Sequence, residues 1–344
     1  MDIRAEINKL SYKPFLCRNL DVFNDLATGI SSNSSFMLQI DPNNQYAVSW
    51  WVSAKRTRSY PYARVYDTLS FSGKKVTIIP VFKDEGAGGD RDFLQWDTLA
   101  LMSLLQVYVI IGYYISAVKS VRYNNKITEQ NFDTTYILEQ IDHLSSFQSD
   151  ALHWNLLQAD LVPKIALSAV NAYTRISSII GVPMHSPKTI SKKIEQISMS
   201  SDEFIRISRN QARSAQTREI ATLQPKERIN CEEKASITIN NYLGGEYYFT
   251  ADEARISNGD LFLVECKHSE SAVLPSINDI KDGLIKMILF TNLENVFIGD
   301  KKYNPKPILK LTSNSRVGSD FVNKVEFKKL LLEAKTNGFD IDLG

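Results

Sequence analysis

Apolar and polar positions change period along the chain. Between residues 46 and 82, QYAVSWWV, YARVYDTLSF and KKVTIIPVF are short runs rich in β-branched and aromatic residues, which predicts strands. Turn formers (SSNSS at 31–35, DPNN at 41–44) punctuate the mixed segment before them. A charged, Gly-rich loop, KDEGAGGDRD, occupies 83–92. The apolar run after it, LALMSLLQVYVIIGYYISAV from Leu99 to Val118, is long enough for a bilayer. Gln106, three tyrosines and two serines interrupt it, and Asp97 and Lys119 flank it closely. It predicts a helix buried inside a large domain, N-capped by Asp97 or Thr98. From 129 to 182, aliphatic residues recur at three- and four-residue spacing (Tyr136 to Leu161, Ile165 to Ile180), the period of helices.

The pattern breaks at about 185. HSPKTISKKIEQISMSSDEF is polar and Ser/Lys-rich, as a domain junction would be. The expected organisation is an α+β domain over 1–185, a linker over 186–204, and a second domain over 205–344. Ser200 and Glu203 form a capping-box pattern that opens a helix running to about Leu223, before Pro225. The fold class is α/β.

Composition narrows the function. Hydrophobic residues are 43% and charged residues 23% of 344, globular values that exclude a disordered chain. The formal charge is +1, so any nucleic-acid contact must rest on a local patch. Cys17, Cys231 and Cys266 form no CxxC pair, and four histidines form no HExxH, which argues against a zinc ribbon, a disulfide scaffold or a zinc hydrolase. The polar N-terminus carries no signal-peptide core, so a cytoplasmic protein without a membrane partner is expected.

The chemistry concentrates in 247–268, YYFTADEARISNGDLFLVECKH. Asn258-Gly259 is a strong type I′ hairpin signal, because both residues tolerate positive φ. A two-residue loop fixes the register: Ser257 opposes Asp260, Ile256 Leu261, Ala254 Leu263 and Asp252 Glu265. Directly opposed residues share a face, so two carboxylates meet, and Lys267 projects from that same face. Opposed like charges destabilise a sheet, and a hard divalent cation such as Mg²⁺ offsets this naturally. Phe262, Val264 and Cys266 are expected to point the other way, into a core. Glu253 falls beside Val264 on that opposite face, unless a bulge shifts the register by one. Acid-x-Lys recurs at Glu232/Lys234, Asp279/Lys281, Asp300/Lys302, Glu326/Lys328 and Glu333/Lys335, but only Glu265/Lys267 ends an apolar strand behind a hairpin that delivers a facing Asp.

Asp252, a spacer, then Glu265-Cys266-Lys267 resembles the motif of the PD-(D/E)XK nuclease superfamily, and within it a type II restriction endonuclease most. The resemblance covers about residues 205–312. SINDIKDGLIKMILFTNL from Ser276 reads as an amphipathic helix with a Ser276/Asp279 capping box, and NVFIG and PKPILKLT read as strands. Ala251 stands where the motif's loosely kept Pro would be. The resemblance implies an α-β-β-β-α-β core in the C-terminal domain and Mg²⁺ held by Asp252, Glu265 and the main-chain carbonyl of Cys266. Lys267 would orient or deprotonate the attacking water. It further implies sequence-specific cleavage of double-stranded DNA, a homodimer matching a palindromic site, and a cognate DNA methyltransferase in the same system. A structure-specific or repair nuclease and a catalytically inactive DNA-binding module are the alternatives. One more carboxylate from the preceding helix is often present in such nucleases; Glu219, Glu232 and Glu233 are candidates.

Three other segments carry weaker signals. In an extended KRTRSYPYARVY (55–66), Arg56, Arg58, Tyr60, Tyr62, Arg64 and Tyr66 share one face, with Lys55 and Thr57 opposite. Arg56, Arg58, Tyr60 and Arg64 are DNA-contact candidates; an ordinary edge strand, with Pro61 blocking a neighbour, is the plainer reading. Asp84, Glu85, Asp90, Asp92 and Asp97 in and after the Gly-rich loop suit a solvated or base-reading loop better than a second metal site. Residues 188–228 carry many lysines and arginines interrupted by acids, as a solvated helix face would. His268 is expected to project away from the metal face.

Overall fold

The computed structural model describes residues 1–42, 44–55, 59–185, 234–241, 245–314 and 325–344, with 206, 207, 209, 210, 213, 214, 216 and 217. The fold is mixed α/β. The chain divides into two compact units, one formed by Met1–Asn19 with Gln211–Gly344, the other by Leu20–Asn210. This corrects the expected 1–185 domain, because the first strand, β1 (Asp2–Ile7), belongs with the C-terminal unit. The expected linker 186–204 lies outside the described residues.

The unit of residues 20–210 contains β2 (Val22–Phe23), α1 (Leu26–Ser32), β3 (Ser35–Asp41), β4 (Asn44–Trp50), α2 (Pro61–Tyr66), β5 (Lys75–Pro80), β6 (Phe82–Asp84) and β7 (Arg91–Phe93). It continues with α3 (Trp96–Leu104), β8 (Val107–Gly112), β9 (Tyr114–Lys119), β10 (Ile127–Phe132), α4 (Thr134–Ser146) and α5 (Ala151–Ile180). Its main sheet has the order β2-β3-β4-β5-β8, with β4, β5 and β8 parallel. The outer edge of β8 is covered rather than exposed. Asn155 of α5 accepts from Val109 N at 2.7 Å and Gln158 from Ile111 N at 3.1 Å, while Trp154 Nε1 donates to Val109 O at 2.7 Å. Side-chain amides thus satisfy backbone groups that an open edge would leave unpaired.

The apolar run 99–118 is not one helix. It divides into the end of α3, then β8 and β9, and Gln95 rather than Asp97 or Thr98 is the N-cap. Gln106 sits at φ 55°, which stops the helix, and the β-branched VYVIIG that follows suits a strand. Residues 127–132 are likewise strand, not helix. Among the described residues no helix is long and apolar enough to cross a membrane.

The other unit contains β1, β11 (Ala235–Asn241), β12 (Gly245–Ala251), β13 (Glu253–Ser257), β14 (Asp260–Ser269), α6 (Ile277–Phe290), β15 (Glu294–Ile298), β16 (Lys301–Ser313), α7 (Val325–Asn337) and β17 (Asp340–Asp342). The strand order is β12-β11-β1-β15-β16-β14-β13, with β17 also pairing β16. Alternation in DIRAEI buries Ile3, Ala5 and Ile7, and β1 runs parallel to β11 and antiparallel to β15 at the middle of the sheet. The segment after β1 is clipped to α7 by the fully buried Glu333, which accepts from Tyr12 Oη at 2.7 Å, Phe15 N at 2.8 Å and Leu16 N at 3.1 Å. The helix α6 packs on β14 and β16, which are parallel neighbours. Its capping box forms as expected: Asp279 N donates to Ser276 Oγ, and Ser276 N to Asp279 Oδ2, both at 3.2 Å.

Candidate active site

The hairpin sets the site's geometry. Asn258 (φ 51°) and Gly259 (φ 88°) form the turn, and β13 pairs β14 in the expected register, from Ser257↔Asp260 to Glu253↔Val264. Asp252 lies at the bend between β12 and β13, one position beyond the ladder. Its Oδ2 accepts from Cys266 N at 2.8 Å, which ties the bend to β14 beside Glu265.

The packed and reactive faces of β14 are not separate, contrary to expectation. Leu261 and Leu263 are buried, and the same face continues into Glu265, only 2% exposed, and Lys267. Val264 is buried as expected on the other face, but Phe262 and Cys266 are only half-buried. The carboxylate chemistry therefore sits inside, against α6. Gly283 makes that approach possible: a Cβ there would stand 2.8 Å from Leu309 Cδ1 and 3.2 Å from Lys267 Cε.

Four charged groups converge on Glu265. Lys267 Nζ lies 3.0 Å from Oε1 and Lys286 Nζ 2.7 Å from Oε2. Lys267 also reaches Asp282 Oδ2 at 3.2 Å, and Lys286 donates to Thr250 O at 3.3 Å. The fourth group is Asp252, felt through its charge. Burial and then Glu265 push the Asp252 carboxyl up to about 7, against the opposing pull of Lys286. Burial raises Glu265 too, but Lys286 and Lys267 outweigh it and hold Glu265 below its ordinary value. Burial would lower both lysines, yet the carboxylates hold each above the ordinary range. Burial raises Asp282 as well, partly offset by Lys267.

Asp282 and Lys286 were not legible as site residues. They are one helical turn apart on α6, so they share a face. The available signal was a lysine embedded in the apolar run LIKMILF.

The donor set suits a hard cation. Asp252 Oδ1 has no hydrogen-bond partner among the described residues, and the Asp252–Glu265 repulsion is what a cation would relieve. Among the described residues no three His, Cys, Asp or Glu side chains gather closely enough to hold a metal by themselves. Two carboxylates and a carbonyl fit Mg²⁺, which retains several waters. Glu253 is on the opposite face, buried, with Oε2 3.8 Å from Lys310 Nζ. His268 also faces away, its Nδ1 2.9 Å from Thr312 Oγ1. Glu219, Glu232 and Glu233 lie outside the described residues.

The 55–66 segment is not an extended strand. Pro61 opens α2, where its fixed φ is favourable, and Tyr62 and Tyr66 are buried. Arg64 is committed internally: Nη1 donates to Trp50 O at 2.8 Å, and the guanidinium stacks 4.4 Å from the Trp50 ring. Tyr60, at φ 50°, precedes the helix and is exposed; Arg56, Thr57 and Arg58 lie outside the described residues. The Gly-rich loop is a β6–β7 hairpin whose acids are largely internal rather than solvated. Asp84 is fully buried and accepts from Gly86 N at 2.9 Å, with His185 Nδ1 at 2.7 Å; Asp92 accepts from Ser53 Oγ at 2.5 Å, and Glu85 pairs with Lys83 at 3.4 Å. In the basic stretch, Arg213 donates to Tyr248 Oη at 2.8 Å and Glu246 at 3.3 Å.

Comparison of the chain with protein-family models, with curated proteins and with solved structures finds no match.

Proposed function

We propose that the chain is a Mg²⁺-dependent endonuclease of PD-(D/E)XK type that hydrolyses phosphodiester bonds in double-stranded DNA at a specific short sequence. The observation that carries this reading is the meeting of Asp252, Glu265 and Lys267 at the end of a buried strand, with Asp252 hydrogen-bonded to Cys266 N. The succession β12, β13, β14, α6, then β16 parallel to β14, supports a nuclease-like core.

Asp252, Glu265 and the Cys266 carbonyl would hold the metal. Once bound, Mg²⁺ supplies a Lewis acid for the phosphoryl oxygen and acidifies water. The protein's own groups do the rest. Lys267, flanked by Glu265 and Asp282, would orient the attacking water and steady phosphate charge; the two carboxylates favour its ammonium form, and a bound cation would oppose them. A homodimer would bring one such site to each strand of a palindrome. A methyltransferase protecting the host's own sites would be the natural companion.

A catalytically inactive DNA-binding module is the second reading. It is favoured by the pairing of both Glu265 oxygens with lysines. Digestion of supercoiled plasmid with Mg²⁺ and with EDTA separates the possibilities. Discrete fragments that EDTA abolishes support the proposal. A smear or nicks would indicate a structure-specific or repair nuclease, and unchanged plasmid an inactive module.

A further inference from the structure

The site holds one more lysine than metal-assisted hydrolysis asks for, and the two lysines are not equivalent. Lys267 has two anionic partners, Glu265 and Asp282, so it keeps an ion pair if Glu265 turns to another cation. Among the described residues Lys286 has one anionic partner within ion-pair distance, Glu265 at 2.7 Å; it also donates to the neutral Thr250 carbonyl. Thr250 lies in β12, two residues before Asp252 at the bend. The ammonium of Lys286 is thus anchored to the strand that delivers one proposed metal ligand and ion-paired to the other ligand.

We infer that Lys286 is a resident counter-ion, occupying the cationic position beside Asp252 and Glu265 and competing with the divalent metal for Glu265 Oε2. This rests on the proposed metal-dependent reading of the site. The physical logic is that a buried carboxylate without a cation is strongly unfavourable, so a metal-free site is stabilised by a substitute charge or by a proton. Lys286 supplies it from α6, and its charge lowers the ionisation cost of Asp252 as well as that of Glu265. A divalent cation held by Glu265 would oppose the Lys286 ammonium paired with Oε2, so part of its binding energy would go into displacing Lys286. Lys286 is then a positioning residue that sets metal affinity, while Lys267 is the group that meets water and phosphate.

The test is calorimetric titration of Mg²⁺ into the wild-type chain, K286M, K286Q and E265Q, beside thermal unfolding of each with and without Mg²⁺. K286M removes the charge while keeping the length of the chain; K286Q keeps a donor for Thr250 O if methionine disturbs folding. Both should bind Mg²⁺ about tenfold tighter or more than wild type. Without metal both should melt lower, and Mg²⁺ should raise their Tm further than it raises the wild type's. E265Q should lose Mg²⁺ binding. Equal affinity in wild type and both Lys286 variants, with E265Q silent, would overturn the competition while leaving the metal site standing. Loss of Mg²⁺ binding in folded K286M and K286Q would make Lys286 a support of the site and overturn it too. Absence of Mg²⁺ binding throughout would remove both the inference and the reading beneath it. If neither Lys286 variant folds without metal, recovery of a cooperative transition on adding Mg²⁺ supports the inference, and no recovery counts against it.

Discussion

Asp252 is the residue on which the site's electrostatics turn. Its carboxyl is pushed up to about 7, first by burial and next by Glu265. In the unfolded chain it would titrate near about 3.9. Folding therefore disfavours the ionised form: the contribution to stability is fully present below about pH 4 and is lost as pH rises through about 7. Metal-free wild type should lose Tm from pH 5 to pH 8 more steeply than D252N. Some slope should persist in D252N, because Asp282 is raised in the same direction. Mg²⁺ should flatten the wild-type slope by favouring the carboxylate. Thermal unfolding across that range checks this, and identical slopes in the two proteins would remove Asp252 from the electrostatic cluster. Lys267 separates binding from chemistry. K267A should lose cleavage yet keep Mg²⁺ affinity within a few-fold, since both proposed carboxylate ligands remain; calorimetry beside a cleavage assay decides, and joint loss would make Lys267 structural.

At the scale of elements, α6 lies close to β14, and Gly283 leaves room for that approach. In G283A the new methyl would press on Leu309 and on the Lys267 stem, so α6 or Lys267 must shift. A destabilisation of about 1–3 kcal/mol is expected from such overpacking, together with loss of cleavage out of proportion to the loss of fold. Denaturant melts and cleavage rates on the same sample test this, and an unchanged rate would show that helix and site are not coupled there. Elements specified by local chemistry were legible in the sequence. The Asn258-Gly259 turn fixes the register of β13 and β14 through two φ angles, and the Ser276–Asp279 box fixes the start of α6. Elements decided by tertiary context were not. One apolar run became α3, β8 and β9, because Gln106 adopts a left-handed conformation that nothing in its neighbours announces. Pro61 could block an edge strand or open a helix, and the burial of Tyr62 and Tyr66 chose the helix. Glu265 and Lys267 were readable as neighbours because strand periodicity puts them on one face of β14, and Asp252 because the hairpin register carries it to the end of the ladder beside them. Asp282 and Lys286 were not, because they reach the site only once α6 packs on β14.

At the scale of the whole molecule, the N-terminal strand is a structural part of the C-terminal unit. A boundary read from composition misses this, because Met1–Asn19 and Gln211–Gly344 are joined by pairing across more than half the sequence. A fragment of residues 211–344 lacks the strand between β11 and β15 and leaves the buried Glu333 without Tyr12, Phe15 and Leu16. That fragment should show no cooperative thermal transition, and a peptide of residues 1–19 supplied in trans should restore one in part. A cooperative melt of the fragment alone would mean β1 is dispensable. The full-length chain is also where the functional claim is tested most directly: plasmid cleavage in Mg²⁺ by wild type, D252A, E265A and E253A under one set of conditions. Discrete fragments from wild type, none from D252A or E265A, and near wild-type cleavage by E253A, whose side chain lies on the opposite face, are the expected result. Cleavage by D252A or E265A at the wild-type rate, or none by the folded wild type in Mg²⁺, would contradict the assignment.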